Sequence, residues 1–284
     1  MPTSPHPALV AGAGAVITGA ASGIGLAAAT ACARLGMTVV MADLPGEALE
    51  SARTAVTEAA AGRGRVLAAP TDVSSFEQVE QLRDVARSEF GVPALLMNNA
   101  GIGLNPGGVA ADLAAWKRLM EVNFWGVAHG VHAFVPGMAA AGKPGLVINT
   151  GSKQGITGPP GNPAYNVSKA ALKMLTEQLA HELRNIPGCQ VTAHLLIPGY
   201  TFTGLTRRGE KPPAAWTPEQ VVEFMMAGVA AGDFYILCPD NDVDRATDAK
   251  RIAWAAGDVA ENRPALSRWH PDWKAAFEDY MRAD

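Results

Sequence analysis

Tyr165 and Lys169 stand four residues apart in AYNVSKAAL, a strongly helical pattern, so both side chains project from one face of a helix. An ammonium beside a phenol is the arrangement that lowers a tyrosine pKa. Bringing the phenol from about 10 to about 7 takes roughly 4 kcal/mol of preference for the phenolate. A positive charge about 4 Å away, at an effective dielectric of about 20, supplies energy of that order. The pair therefore allows a tyrosine acid/base near neutral pH, although Tyr and Lys at this spacing also occur as packing neighbours on exposed helices. Ser152, thirteen residues earlier, adds a hydroxyl able to share a substrate oxygen with Tyr165. It does not read as a hydrolase nucleophile, because GSKQG at 151–155 is not GxSxG and no His/Asp pair accompanies it. Asn123, in EVNFWG, is a mid-helix amide in apolar company that must find partners. It reads either as the holder of a relay water or as a packing polar group.

A second set of residues could hold a dinucleotide. Thr18-Gly19-Ala20-Ala21-Ser22-Gly23-Ile24-Gly25 follows an apolar run directly and leads at once into a helical pattern. In a strand–turn–helix of this kind, backbone N–H groups and the helix N-terminus face a diphosphate, and the missing side chains of Gly19, Gly23 and Gly25 permit close approach. Gly12 and Gly14 precede the strand and do not belong to the turn. Asp43 ends the second apolar run, 18 residues beyond Gly25, near the spacing of an acid that bonds an adenosine ribose. Its carboxylate would repel a 2′-phosphate, and no Arg or Lys stands in the turn or immediately after it, so NAD is expected over NADP. Asp72 and Asn99-Ala100-Gly101 fall at two further strand ends, where open α/β sheets bind ligands; Asp72 reads equally as a cap for the helix beginning near 75. An oxidised nicotinamide would add a second positive charge near Tyr165.

These residues need a framework that gathers strand ends. Seven apolar runs, at 15–19, 38–42, 65–70, 94–98, 145–151, 191–198 and 234–238, alternate with helix-length segments near 23–35, 46–61, 75–89, 112–139 and 163–185. That alternation predicts βαβ units, hence a doubly wound, Rossmann-type α/β fold with a parallel seven-stranded sheet and helices on both faces. The runs are apolar on both faces, as strands covered from both sides should be. Ser74 with Glu77 fits a capping box, and Thr217, Pro218 and Gln220 fit another. One domain spans the chain: a core over about 12–204, a substrate loop or lid over about 204–232, and a C-terminal extension over about 239–284.

Composition narrows the function classes. Hydrophobic residues make up 48% of the 284 and charged residues 18%, which excludes disorder driven by charge. Basic residues number 23 against 27 acidic ones and are scattered, so nucleic acid is not an expected partner. Cys32, Cys189 and Cys238 lie far apart without CxxC or Cys/His spacing, which argues against a disulfide framework or a zinc site and for a reducing cytoplasm. The N-terminus lacks a basic signal region, and no apolar run reaches the roughly 20 residues that a bilayer demands, so no membrane partner is expected. His129 and His132 lie three apart on a helix without a third ligand, so no metal site is expected.

The substrate end is read from the chain after the sixth run. Tyr200, Phe202, Trp216, Phe224, Met225 and Met226 would line a cleft for an apolar, fairly bulky alcohol or ketone; alternatively Phe224 to Met226 bury one face of a helix beginning near 218. Residues 204–217 fit a mobile flap or an ordinary surface loop. Arg207 and Arg208 could meet an anionic substrate or the cofactor diphosphate, or belong to a solvated loop. Trp254, Trp269 and Trp273 are expected to pack the C-terminal extension.

Over residues 12–204 the motifs, taken in order, resemble the short-chain dehydrogenase/reductase family. TGAASGIG is similar to its TGxxxGxG, Asp43 to its NAD-selecting acid, NNAG at 98–101 to its sheet-stabilising motif, Asn123, Ser152, Tyr165 and Lys169 to its catalytic tetrad, and PGYTFT at 198–203 to its PG motif. The resemblance implies that Tyr165 exchanges the carbinol proton and Ser152 orients the carbonyl oxygen. Lys169 would bind the nicotinamide ribose and depress the tyrosine pKa, and Asn123 would hold a relay water. Gly19, Ser22, Gly23, Ile24, Gly25, Asp43, Asp72, Val73, Asn99, Ala100, Gly101, Tyr165, Lys169, Pro198, Gly199 and Thr203 would bind the cofactor. The expected activity is NAD(H)-dependent interconversion of a secondary alcohol and a ketone, in a homo-oligomer of two or four chains. Two alternatives stand beside it: an NAD-binding regulator without turnover, and a lyase or epimerase that keeps its NAD. Where the family pattern has a glycine-rich VDGG-like tail, this chain continues from FYILCPDND into some forty further residues, which leaves the four-chain assembly open.

Overall fold

The structure, a computed structural model, describes residues 6–206 and 209–283. Seven parallel strands form one sheet in the order β3-β2-β1-β4-β5-β6-β7: β1 (Gly14–Thr18), β2 (Thr38–Asp43), β3 (Val66–Pro70), β4 (Leu95–Asn98), β5 (Gly145–Thr150), β6 (Val191–Ile197) and β7 (Tyr235–Leu237). The ten α-helices among the described residues are α1 (Gly23–Arg34), α2 (Glu47–Ala60), α3 (Phe76–Phe90), α4 (Leu113–Met120), α5 (Gly126–Ala140), α6 (Gln154–Thr157), α7 (Pro163–Asn185), α8 (Pro218–Ala231), α9 (Arg245–Ala260) and α10 (Lys274–Arg282). Every residue of β1, β4 and β5 is buried, which is why these strands read as unbroken apolar runs. One core packs α1, α2 and α8 against the sheet, with Ile17, Met41, Leu95, Ile148 and Met225 at its centre. The other packs α3, α5 and α7 around Val16, Leu96, Val147, Phe134 and Leu183.

The chain leaves β1 toward β2 and β3 on one side and resumes at β4 on the other, so a crevice opens between the carboxyl ends of β1 and β4. That switch point is where open sheets of this kind take ligands. Among the described residues, no helix is long and apolar enough to cross a membrane.

Local details depart from expectation in three places. The helix expected over 112–139 is α4 and α5 joined by a π turn, Glu121–Trp125, whose extra residue re-aims Asn123. The cap of α3 is Ser75, whose hydroxyl accepts from Gln78 N–H at 3.4 Å, while Ser74 donates instead to Asp72 at 2.6 Å. The Ser74 oxygen accepts from Arg118 at 2.8 Å, so Asp72 and Arg118 together hold the hydroxyl away from the helix end. The Thr217–Gln220 capping box forms as expected. Residues 204–232 are not one lid: Met225 is fully buried in the core, and Phe224, Met226 and Trp216 pack against that core.

The C-terminal extension folds around Trp254, whose indole N–H donates to Ser267 at 2.7 Å while Trp273, Phe277 and Tyr280 meet its ring. Arg263 lies over that ring, 4.1 Å from the centroid, and pairs with Asp258 at 3.2 Å. The extension therefore has a small core of its own, and α9 rests against α6, next to Ser152.

Candidate active site

A cleft of about 840 Å³ runs along the carboxyl ends of β1 to β6. Gly19, Ser22, Gly23, Ile24, Asp43, Asp72, Val73, Asn99, Ala100, Gly101, Ser152, Tyr165, Lys169, Pro198, Gly199 and Thr203 all line it. Gly25 and Asn123 are not in its wall. They stand one layer behind and shape it.

At the glycine turn, Gly19 has φ +65° and Gly23 φ +54°, backbone that side chains disfavour. A Cβ on Gly25 would lie 2.1 Å from the Gly19 carbonyl oxygen, so only glycine lets α1 start this close to the turn. Ser22 occupies the N-cap of α1 without capping it, which leaves the helix's first N–H groups without a side-chain partner at the cleft. Asp43 accepts from Ala21 N–H and Leu44 N–H, each at 2.8 Å, and so holds its carboxylate against the turn. Bare backbone donors beside an ordered carboxylate fit the diphosphate and ribose of a dinucleotide.

Thr18, a member of the glycine motif absent from the expected site list, joins the two walls of the crevice. Its Oγ1 accepts from Asn99 N–H at 2.9 Å and Ala100 N–H at 3.1 Å, fixing the segment after β4 against the end of β1. A threonine at a strand end was the available signal. Asp72 is held by Ser74 and by Arg118, which pairs with it at 3.3 Å from 46 residues away. Burial raises its pKa, but the bonds from Ser74 and the charge of Arg118 outweigh burial and hold the carboxyl below its ordinary range. Asp72 lines the cleft and, by accepting from Ser74 N–H at 2.9 Å, orders the turn into α3, whose cap is Ser75 and not Asp72. His129 donates from Nδ1 to Val73 O at 2.9 Å and packs on Phe76, a structural contact.

Asn123, fully buried on the π turn, accepts from Ile102 N–H at 2.7 Å and donates to Ile102 O at 3.0 Å, with a longer contact to Ser168 at 3.4 Å. The amide clamps the chain that follows Asn99–Gly101. Both of its ends are thus engaged with the backbone of Ile102, a positioning role that stands beside the expected relay water.

The proton-handling groups meet at the inner end of the cleft. Asn162 caps α7, accepting from Tyr165 N–H at 3.2 Å, and reaches across to Leu104 O at 2.8 Å, which places Tyr165 in the first turn facing the cleft. Ser152 follows β5, and its hydroxyl lies beside the Tyr165 phenol at this end of the cleft, where it acts to lower the phenol's pKa. Lys169 lies one turn further along α7, with Nζ 5.7 Å from the Tyr165 ring centroid, and donates to Thr150 O at 2.8 Å. Gly155 makes this close packing possible, since a Cβ there would lie 2.4 Å from the Lys169 carbonyl carbon.

The electrostatics differ from the sequence expectation. Burial raises the Tyr165 pKa above its ordinary value and the bond from Ser152 draws it only part of the way back; burial also brings Lys169 down to about 8. Desolvation is the largest influence on both groups in the chain by itself. Tyr200 and Leu205 line the substrate end beside Ile102 and Gly103, whereas Trp216, Phe224, Met225 and Met226 lie outside the cleft wall because the core takes them. Arg207 and Arg208 lie outside the described residues.

Residues 13–213 match the family model described as short chain dehydrogenase. The chain is 32% identical over 263 residues to 1-deoxy-11-beta-hydroxypentalenate dehydrogenase of Streptomyces exfoliatus, covering 90% of this chain and 93% of that one. Its fold is similar to a solved short-chain dehydrogenase/reductase of Burkholderia phymatum in complex with NAD, at 33% identity and TM-score 0.80, over 89% of this chain and 96% of the other. It is also similar to a metagenomic short-chain oxidoreductase in complex with NADP, at 29% identity and TM-score 0.68, over 81% and 98%.

Proposed function

The chain belongs to the short-chain dehydrogenase family, and from that premise we propose that it interconverts a secondary alcohol and a ketone on an apolar, fairly bulky skeleton, preferring NAD(H) to NADP(H). The observation that carries this reading is the Ser152–Tyr165 hydroxyl pair at the inner end of a dinucleotide-sized cleft, with the Lys169 ammonium buried behind the phenol. Tyr165 takes the carbinol proton in oxidation and returns it to the carbonyl oxygen in reduction, while Ser152 donates to that oxygen and orients it. Gly19, Ser22, Gly23 and Ile24 hold the diphosphate, Asp43 the adenosine ribose, and Lys169 the nicotinamide ribose; Asp72, Val73, Asn99, Ala100, Gly101, Pro198, Gly199 and Thr203 complete the cradle. When bound, the nicotinamide supplies the hydride acceptor and, oxidised, a positive charge. A charge of that sign beside a phenol raised by burial favours its ionisation, which the chain by itself leaves incomplete.

The NAD preference is supported by Asp43, an ordered carboxylate that a 2′-phosphate would have to approach. The apolar substrate class is supported by Ile102, Tyr200 and Leu205 at the substrate end, and by a relative named as a 1-deoxy-11-beta-hydroxypentalenate dehydrogenase.

The test mixes purified protein with NAD and a panel of alicyclic secondary alcohols and follows NADH absorbance, alongside Tyr165→Phe. Turnover lost in the variant with NAD affinity kept is the expected result. An active Tyr165→Phe enzyme overturns the proton role, NAD binding without turnover on any alcohol points to a regulator, and product without net NADH points to a lyase or epimerase.

A further inference from the structure

Beyond the cleft, α6, α9 and the segment 266–269 enclose a second cavity of about 300 Å³. Lys153 and Gln154 line both spaces, so the wall between them is the chain directly after Ser152. One side of the cavity is apolar, formed by Ile156, Leu237, Ile252 and Trp269. The other carries charge. Lys153 and Asp248 neutralise each other at 2.6 Å, with Asp240 a further partner of Lys153 at 3.5 Å.

Arg251 and Arg268 also face the cavity, and among the described residues neither guanidinium has a hydrogen bond or a carboxylate within ion-pair distance. The Arg251 Nε–H is buried with no partner at all. Arg268 lies over the Trp269 ring, 4.7 Å from its centroid, which orients the guanidinium without neutralising it. Burial, and next the charge of Arg251, pull the Arg268 pKa down, and the attraction of Asp248, the smaller effect, offsets them only in part. A buried donor without an acceptor is destabilising, and an anion in the cavity would supply acceptors to both guanidiniums. Forked donors beside apolar walls select a planar carboxylate on an apolar body over a bare, strongly hydrated anion.

We infer that this cavity is a binding site for the carboxylate of a small organic acid, held by Arg251 and Arg268 outside the catalytic cleft. The chemistry is that of an aromatic or alicyclic monocarboxylate, its ring against Ile252 and Trp269. The inference is independent of which alcohol the cleft takes.

Calorimetric titration with benzoate, benzyl alcohol and inorganic phosphate tests it on the whole chain with NADH present. Benzoate is expected to saturate, phosphate to bind more weakly, and benzyl alcohol not to saturate. R251Q/R268Q should weaken benzoate by at least about tenfold, equivalent to about 1.4 kcal/mol, with thermal unfolding as the check on folding. R251K/R268K keeps both charges without the fork and should lose part of the affinity; it supplies the same comparison if the glutamine pair does not fold. Absence of saturable benzoate binding, equal affinity for benzyl alcohol or phosphate, or benzoate affinity unchanged in the variants would each overturn the assignment, the last by placing benzoate in the cleft.

Discussion

Replacing Lys169 by Met removes a charge from the interior while keeping most of the side chain's length, and its effect on stability can be worked out from burial. Lys169 is 5% exposed and its pKa falls from 10.5 to about 8 through desolvation. At about 1.4 kcal/mol for each tenfold change in proton affinity, that fall corresponds to about 3 kcal/mol of destabilisation while the ammonium is charged. The sign follows from linkage. Below pH 8 the lysine is protonated in both folded and unfolded chains, and the folded chain bears the whole cost. Between about 8 and 10.5 the folded chain releases its proton first, so the unfolded state binds more protons and stability rises with pH. Above 10.5 both states are neutral and the cost is gone. The bond from Nζ to Thr150 O survives, because a neutral amine still donates. Its loss in K169M is therefore an offset that does not vary with pH. Urea unfolding of K169M and of the parent, both carrying Tyr165→Phe so that the phenol's titration drops out, isolates the lysine. The parent should gain about 3 kcal/mol on K169M between pH 7 and 10.5. A difference that stays flat across that window, or that moves in favour of the variant, would falsify the account of Lys169 as a charged group held in a desolvated site.

Two further outcomes follow from the geometry. Asp43→Asn keeps an oxygen for Ala21 N–H while removing the charge; NADP affinity should rise relative to NAD, as read by fluorescence titration with each reduced cofactor, and an unchanged ratio removes the selectivity assignment. Asn123→Ala leaves Ile102 N–H and C=O without their partner; Ile102 is only half-buried, so the loss sits at the low end, about 2 kcal/mol at roughly 1 kcal/mol per stranded group. Chemical denaturation should register that loss, accompanied by slower turnover as the Asn99–Gly101 segment loosens; native stability in this variant would show that the clamp is dispensable.

Much of the architecture was legible because it rests on local rules. Strands buried on both faces leave unbroken apolar runs, and a turn that cannot hold side chains leaves Gly19, Gly23 and Gly25. A helix carrying two groups to one place leaves Tyr165 and Lys169 four apart. Periodicity and conformational preference act over a few residues, and a few residues are enough to read them. The capping of α8 by Thr217 belongs to the same class, whereas Ser74 does not cap α3 because Asp72 and Arg118 engage its hydroxyl.

Tertiary structure decided what depends on partners distant in sequence. Arg118 reaches Asp72 across 46 residues, Asn123 grips Ile102, Thr18 grips Asn99, and Asp248 meets Lys153 from the far end of the chain. Nothing in the local sequence names those partners, because hydrogen bonds and ion pairs form wherever packing brings complementary groups together. Phe224 to Met226 had two apolar destinations, and they went to the core, where α8 packs on α1. The charge state of the Tyr165–Lys169 pair was decided in the same way. Spacing brings the two groups together, but the pKa of each depends on how completely β5, α6 and α7 exclude water, and desolvation is a property of the enclosing volume that no stretch of sequence carries alone.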